Sequence, residues 1–169
     1  GLETISHEEL RTLLREGTGK TLSAYQEMLI SILDLQKVTV NDIMVPRSEI
    51  IGIDIDQPWE AILDQLTKGQ HTRLPIYHDT IDHVEGILHV RRALNLAAEN
   101  RLNKNSLLDV ALDPYFIPTQ TPLNIQLINF RHQKLRSALV VDEYGDILGL
   151  VTLEDILEEI VGEFTTNLI

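Results

Sequence analysis

Ile147-Leu148-Gly149-Leu150-Val151, running into Thr152-Leu153-Glu154-Asp155, has an earlier counterpart in Val84-Glu85-Gly86-Ile87-Leu88, running into His89-Val90-Arg91-Arg92. In both, a short apolar run centred on glycine gives way to a helical pattern, from about Val90 and from Leu153. The two glycines stand 63 residues apart. Self-similarity at a fixed spacing marks a repeated structural unit. Immediately upstream are apolar strands, 73–77 and Ser137–Val141. Before those come helices opened by Pro58 and Pro122, 64 residues apart. Proline suits the first helical turn, where its missing N–H has no partner to lose. Further upstream are the runs 50–55 and 115–118. They follow the proline-terminated turns Asp42-Ile43-Met44-Val45-Pro46 and Asp109-Val110-Ala111-Leu112-Asp113-Pro114.

The copies therefore run from about Val40 to Leu94 and from about Leu107 to Ile160, each reading strand–helix–strand–strand–helix. Neither is large enough to bury a sufficient core alone, so the two are expected to pack their sheets together. The turn Asp142-Glu143-Tyr144-Gly145-Asp146 places glycine where a left-handed residue is wanted. The spacing predicts an α/β (α+β) fold of two repeats, 38–100 and 101–169, preceded by a helical arm, 1–37. In the arm, Ser6-His7-Glu8-Glu9 is a capping box opening a helix to about Glu16, and Gly17-Thr18-Gly19 breaks it. A second helix carries Leu22, Tyr25, Leu29, Ile32 and Leu33 at helical spacing.

Composition narrows the function. Of the 169 residues, 43% are hydrophobic and 24% charged, a globular balance. No apolar run approaches the ~20 residues of a membrane span. The chain is expected to be a soluble fragment, with a membrane segment before or after it left open. Cysteine is absent, so disulfides and thiolate metal sites are excluded. The formal net charge is -12. Such a surface repels nucleic acid and anionic lipid. An anionic ligand would need a helix N-terminus, an arginine or a bridging divalent cation.

The start of the last helix offers the first of these. A helix N-terminus presents unpaired N–H groups and the positive end of the dipole, which attract phosphate. Thr152 adds a hydroxyl there, and Asp155 can accept from both hydroxyls of a ribose. Thr152-Leu153-Glu154-Asp155 is equally an N-cap with an acid at the third helical position. Both readings stand, and they are compatible, because a ligand can displace a cap.

With Asp42-Ile43-Met44-Val45-Pro46-Arg47, His71-Thr72-Arg73-Leu74-Pro75-Ile76 and the run from Gly149 to Glu159, the chain resembles a tandem CBS-domain pair (Bateman module) of the CorB/CorC, CNNM-like magnesium-transport family. The resemblance covers about the last three quarters of the chain. It implies two CBS repeats related by a pseudo-two-fold axis, and a regulatory module on the cytoplasmic face of the inner membrane. The transmembrane domain of the full-length protein would be its partner. It further implies a homodimer, and an adenine-nucleotide ligand, Mg-ATP or AMP/ADP, with magnesium brought by the nucleotide. It assigns Thr152 to phosphate or ribose, Asp155 to ribose, Val45 and His71 to the border of the adenine, and Arg73 to the phosphates, with Ser137 completing the set.

Departures from the family pattern matter. Relatives often carry threonine where Val45 stands and tyrosine where His71 stands. The first copy has His89 and Arg92 at the positions of Thr152 and Asp155. Arginine has no acceptor for ribose hydroxyls, so one nucleotide site per chain is expected. The alternative function is a CBS dimerisation scaffold that binds no ligand.

Other signals carry less. Gly17-Thr18-Gly19-Lys20-Thr21 lacks the first glycine of a P-loop, since Leu14 stands there, and no strand precedes it. His71, His78, His83 and His89 lack metal-ligand spacing and read as exposed loop residues. Glu154, Glu158 and Glu159 read as a solvated helix face rather than a magnesium site, and Arg136 is a weaker phosphate candidate than Arg73. Trp59, Ile62, Leu63 and Leu66 read as a core-facing helical stripe. No nucleophile–base arrangement is visible, and no enzymatic activity is expected.

Overall fold

Val45 and Pro46 pair antiparallel with Leu150 and Gly149, and Leu112 bridges antiparallel to Ile87. The segment that opens each copy thus joins the strand that closes the other. This reciprocal exchange is how two repeats too small to stand alone come to share a core. The computed structural model describes residues 8–9, 11–12 and 23–168, with side chains described at 8–9, 11–12 and 26–162. In chain order the elements from residue 23 are α1 (Ser23–Asp34), α2 (Val40–Ile43), β1 (Val45–Pro46), β2 (Ile53–Asp54), α3 (Trp59–Lys68), β3 (Arg73–His78), β4 (Thr80–His89) and α4 (Val90–Ala98). There follow α5 (Lys104–Val110), β5 (Phe116–Pro118), α6 (Leu123–Gln133), β6 (Ser137–Val141), β7 (Ile147–Thr152) and α7 (Leu153–Leu168). The first copy forms the sheet β2-β3-β4, and the second forms β5-β6-β7 with β1 added at its edge.

The chain divides into two compact units that cut across the repeats. One holds Val45–Pro118 and Ser137–Leu150. Its core is aliphatic: Ile53, Ile76, Leu88 and Leu107 have no exposed surface, and Ile62 and Leu74 are also buried. A second cluster in this unit, Ile81, Ile87, Leu139, Ile147 and Leu150, takes residues from both copies. Gly86 is required here, because a Cβ would stand 2.9 Å from the Ala111 Cβ and 2.9 Å from the Leu112 carbonyl oxygen. That is the point where the opening segment of the second copy crosses β4. Gly145 has φ +84°, the left-handed conformation expected of the hairpin turn, and Asp142 accepts from the N–H groups of Tyr144 and Asp146.

The other unit gathers the residues up to Met44, Thr119–Arg136 and those from Val151 onward. In it α1 lies against α7, and α6 lies against both α7 and the turn Leu35–Lys37. The start of α2 is stitched to the loop before α6: Val40 N–H donates to the Thr121 carbonyl (2.9 Å), and Leu123 N–H to that of Val38 (2.9 Å). Arg11 pairs with Asp34 at 2.7 Å, tying the start of the arm to the end of α1.

Several expectations need correction. Among the described side chains of α1, Ile30 and Ser31 are buried, while Leu29 is 46% exposed. The run Met28-Leu29-Ile30-Ser31-Ile32-Leu33 is apolar on more than one face, so periodicity alone could not choose between them. Leu22, Ser6, His7 and the Gly17–Gly19 break lie outside the described residues, as does the side chain of Tyr25. Glu8, Glu9, Arg11 and Thr12 are helical. The first strand is confined to β2 rather than 50–55. Its parallel partner β3 contains Pro75, which has no N–H to extend the ladder. The acidic turn 109–114 begins inside a helix: Asp109 and Val110 end α5, whose Asn103–Ser106 capping box is inconspicuous in a polar stretch. On α3, Ile62 and Leu66 are buried and Trp59 packs against the same cluster, but Leu63 is 38% exposed. His78 and His83 sit on strands β3 and β4 rather than in a loop.

Candidate nucleotide site

The end of β7 and the start of α7 are joined by a reciprocal pair of hydrogen bonds. Asp155 N–H donates to Thr152 Oγ1 (3.1 Å), and Thr152 N–H donates to Asp155 Oδ2 (3.0 Å). This capping box satisfies donors that the first turn leaves without an intrahelical partner. The N–H of Leu153 is held by the Arg136 carbonyl at 2.8 Å. The Arg136 side chain reaches Glu154 at 3.5 Å. Both Thr152 and Asp155 remain partly exposed. A hydroxyl, a carboxylate and a helix N-terminus therefore share one accessible corner, with every group pre-oriented by the cap.

Val45 stands opposite Leu150 in the β1–β7 ladder and is half-buried. Ser137 begins β6, the neighbour of β7, and is 8% exposed. It directly follows Arg136, whose carbonyl holds the start of α7. His71 and Arg73 keep the company of the first copy. Arg73 is opposite His89 in the β3–β4 ladder, and the Thr72 carbonyl accepts from the N–H of Val90 (2.9 Å), the first residue of α4.

The first-copy helix start is built differently. His89 is the N-cap of α4, and its Nδ1 accepts from the Arg91 N–H at 3.1 Å. Histidine thus does the capping that Thr152 does in the second copy. Arg92 is exposed and brings donors only.

Among the described residues, no group of three histidines or acids is placed to hold a metal ion. His78 is nonetheless not isolated: Nδ1 lies 3.0 Å from Asp56 and Nε2 3.1 Å from Glu85. The hydrogen bond to Asp56, helped by the charges of Asp56 and Glu85, raises its pKa above the usual value. Sequence reasoning misses one feature. Arg47, there no more than the end of a motif, makes a bidentate pair with Asp82. The available signal is an arginine directly after the Val45-Pro46 strand, but its partner lies 35 residues away and cannot be found by spacing.

The CBS domain family model matches residues 40–99 and 109–162, one match for each copy. A CBS-domain pair with bound AMP from Klebsiella pneumoniae is 52% identical, covering 74% of this chain and 99% of that one, with a TM-score of 0.70. The CBS domain of a bacterial CNNM/CorC family Mg2+ transporter in complex with ATP is 36% identical, covering 82% of this chain and 97% of that one, with a TM-score of 0.72. The inner membrane protein YfjD of Escherichia coli is 51% identical over 98% of this chain. These findings define the class as a pair of CBS domains. Within that class, the chain belongs to the CNNM/CorC family of Mg2+ transporters, as one of its CBS modules. It spans about two fifths of the length of the E. coli relative, 39%. Among the described residues, no helix is long and apolar enough to cross a membrane.

Proposed function

We propose that this module binds one adenine nucleotide per chain, as Mg-ATP or as AMP/ADP, at the start of α7, and that occupancy controls the arrangement of a homodimer. Through that arrangement it would regulate divalent-cation transport by the membrane domain of the full-length protein, from the cytoplasmic side. The observation that carries the reading is the Thr152–Asp155 pair, which puts a hydroxyl, a carboxylate and a helix N-terminus together. Related CBS pairs with AMP and with ATP support the choice of ligand. On this reading the nucleotide displaces the cap, so that Thr152 and helix N–H groups meet phosphate and Asp155 accepts from ribose. Val45, His71, Arg73 and Ser137 enter residue by residue from the family resemblance.

Magnesium follows from charge. A chain of net charge -12 disfavours a free polyanion, and a bound divalent cation offsets that repulsion. Dimerisation is supported by apolar side chains left exposed on helices: Leu63 and Leu94 in one unit, and Ile125, Ile128, Leu157 and Val161 in the other. In the latter unit a groove of about 630 Å³ runs between α6 and α7, over Ile128, Phe130, Leu153 and Leu157. The scaffold reading has one observation of its own: Thr152 and Asp155 already satisfy each other, so the corner needs no ligand to be stable.

Calorimetry with ATP, Mg-ATP and AMP, paired with sedimentation at tens of micromolar, separates these readings. The regulatory reading expects heat, stronger for ATP when magnesium is present, and a dimer whose sedimentation changes with nucleotide. A dimer with no heat from any adenine nucleotide at millimolar concentration selects the scaffold.

A further inference from the structure

The Arg47–Asp82 pair has a geometry that a surface ion pair does not need. Arg47 Nη1 and Nη2 meet the two oxygens of Asp82 at 2.6 and 2.7 Å. Arg47 Nη1 also donates to the Ile147 carbonyl at 3.1 Å, and the Ile147 N–H donates to Asp82 Oδ1 at 3.4 Å. The pair thus grips both backbone groups of the first residue of β7. Its members come from different places: Arg47 directly follows β1, Asp82 lies on β4 of the first copy, and Ile147 belongs to the second copy. Beneath them, Ile81 and Ile147 are buried in the cluster that draws on both copies. The hydrogen bond from Arg47 holds the Asp82 carboxyl below the usual carboxylate range, so the pair is charged at neutral pH.

The β1–β7 ladder is only two residue pairs long, Val45 with Leu150 and Pro46 with Gly149, and Pro46 contributes no N–H to it. So short a ladder has little register of its own. We propose that the Arg47–Asp82 pair is an inter-repeat latch that fixes β1 against β7 and so acts as a positioning element for Val45, which stands opposite Leu150 in that ladder. The latch's effect on nucleotide rests on the proposed function; its effect on the ladder does not. A bidentate arginine–carboxylate pair is the geometry in which a surface ion pair has measurable worth, and lysine cannot reproduce it.

The test uses the 169-residue chain and the variants Arg47→Ala, Arg47→Lys, Asp82→Ala and the exchanged pair Arg47→Asp with Asp82→Arg. Amide hydrogen exchange of the Val45–Leu150 ladder is measured by NMR, at a temperature where circular dichroism shows each variant fully folded. Mg-ATP affinity is measured under the same conditions. Both alanine variants and Arg47→Lys should speed exchange at these amides while leaving β3 and α3 protected, and should weaken Mg-ATP roughly three- to tenfold. The exchanged pair should recover part of the protection. Uniform loss of protection across the unit would reduce the pair to general stability and overturn the proposal, as would unchanged exchange at the ladder. If wild type binds no nucleotide, the proposed function fails, and the latch stands or falls on the exchange data alone.

Discussion

The two copies carry helix starts 63 residues apart that are made from different chemistry. At α7, Thr152 and Asp155 hold each other, and a partly exposed carboxylate stands beside a helix N-terminus. At α4, His89 caps through its ring and Arg92 offers only donors. The same local fold is therefore maintained by two devices, of which one leaves a carboxylate at the helix start, where the proposed function puts a ribose. On the proposed function, a helix start can be kept without a ligand site, because capping needs one acceptor and ribose recognition needs a carboxylate with reach to two hydroxyls.

The sharpest way to break this contrast is Asp155→Ala. Losing a charged acceptor to paired hydroxyls costs about 1.5–3 kcal/mol, so Mg-ATP should bind roughly ten- to a hundredfold more weakly. Part of the cap goes with it, so a melting curve must accompany the titration.

The reciprocal exchange of opening segments is tested by Gly86→Ala. The added methyl would stand 2.9 Å from both Ala111 and the Leu112 carbonyl. Overpacking of this kind costs about 1–3 kcal/mol. The melting temperature should fall by several degrees, about 2–4 °C per kcal/mol for a chain of this size. An unchanged melting temperature would mean that the crossing at Ile87–Leu112 is not tight.

Smaller effects follow at the first copy. Arg92→Ala should change Mg-ATP affinity by less than about twofold, because an exposed arginine with no acceptor role contributes mainly screened charge. A tenfold loss would instead place phosphate near α4. The smallest effect concerns pH. The pKa of His78 is raised in the folded chain by Asp56 and Glu85. Its contribution to stability is then full below the unfolded value near 6.5 and is lost as pH rises through the folded value. His78→Ala should flatten the stability profile in that window. NMR titration of the His78 ring should give a pKa above the usual one; a value at or below it would remove the clamp between Asp56 and Glu85.

Much of the fold is legible in the sequence because two copies report on each other. The spacings of Pro58 with Pro122 and of Gly86 with Gly149 are enough to set the repeat, and they put Thr152 and Asp155 on the helix start where they stand. What is not legible comes from contacts that local patterns do not encode. The buried face of α1 is hidden in a helix that is apolar on more than one face. Helix α5 is hidden in a polar run whose cap, Asn103 with Ser106, is not an acid pair. The partner of Arg47 is set by tertiary folding, not by spacing. The exchange of opening segments between sheets has no signal in either copy taken alone.

The central claim is one nucleotide per chain at the second copy, and calorimetric stoichiometry addresses it most directly. Mg-ATP titrated into the 169-residue chain should saturate at one per chain, and the heat at the same concentrations should largely vanish in Asp155→Ala while persisting in Arg92→Ala. Saturation at two per chain, or an isotherm indifferent to Asp155→Ala, would contradict the account.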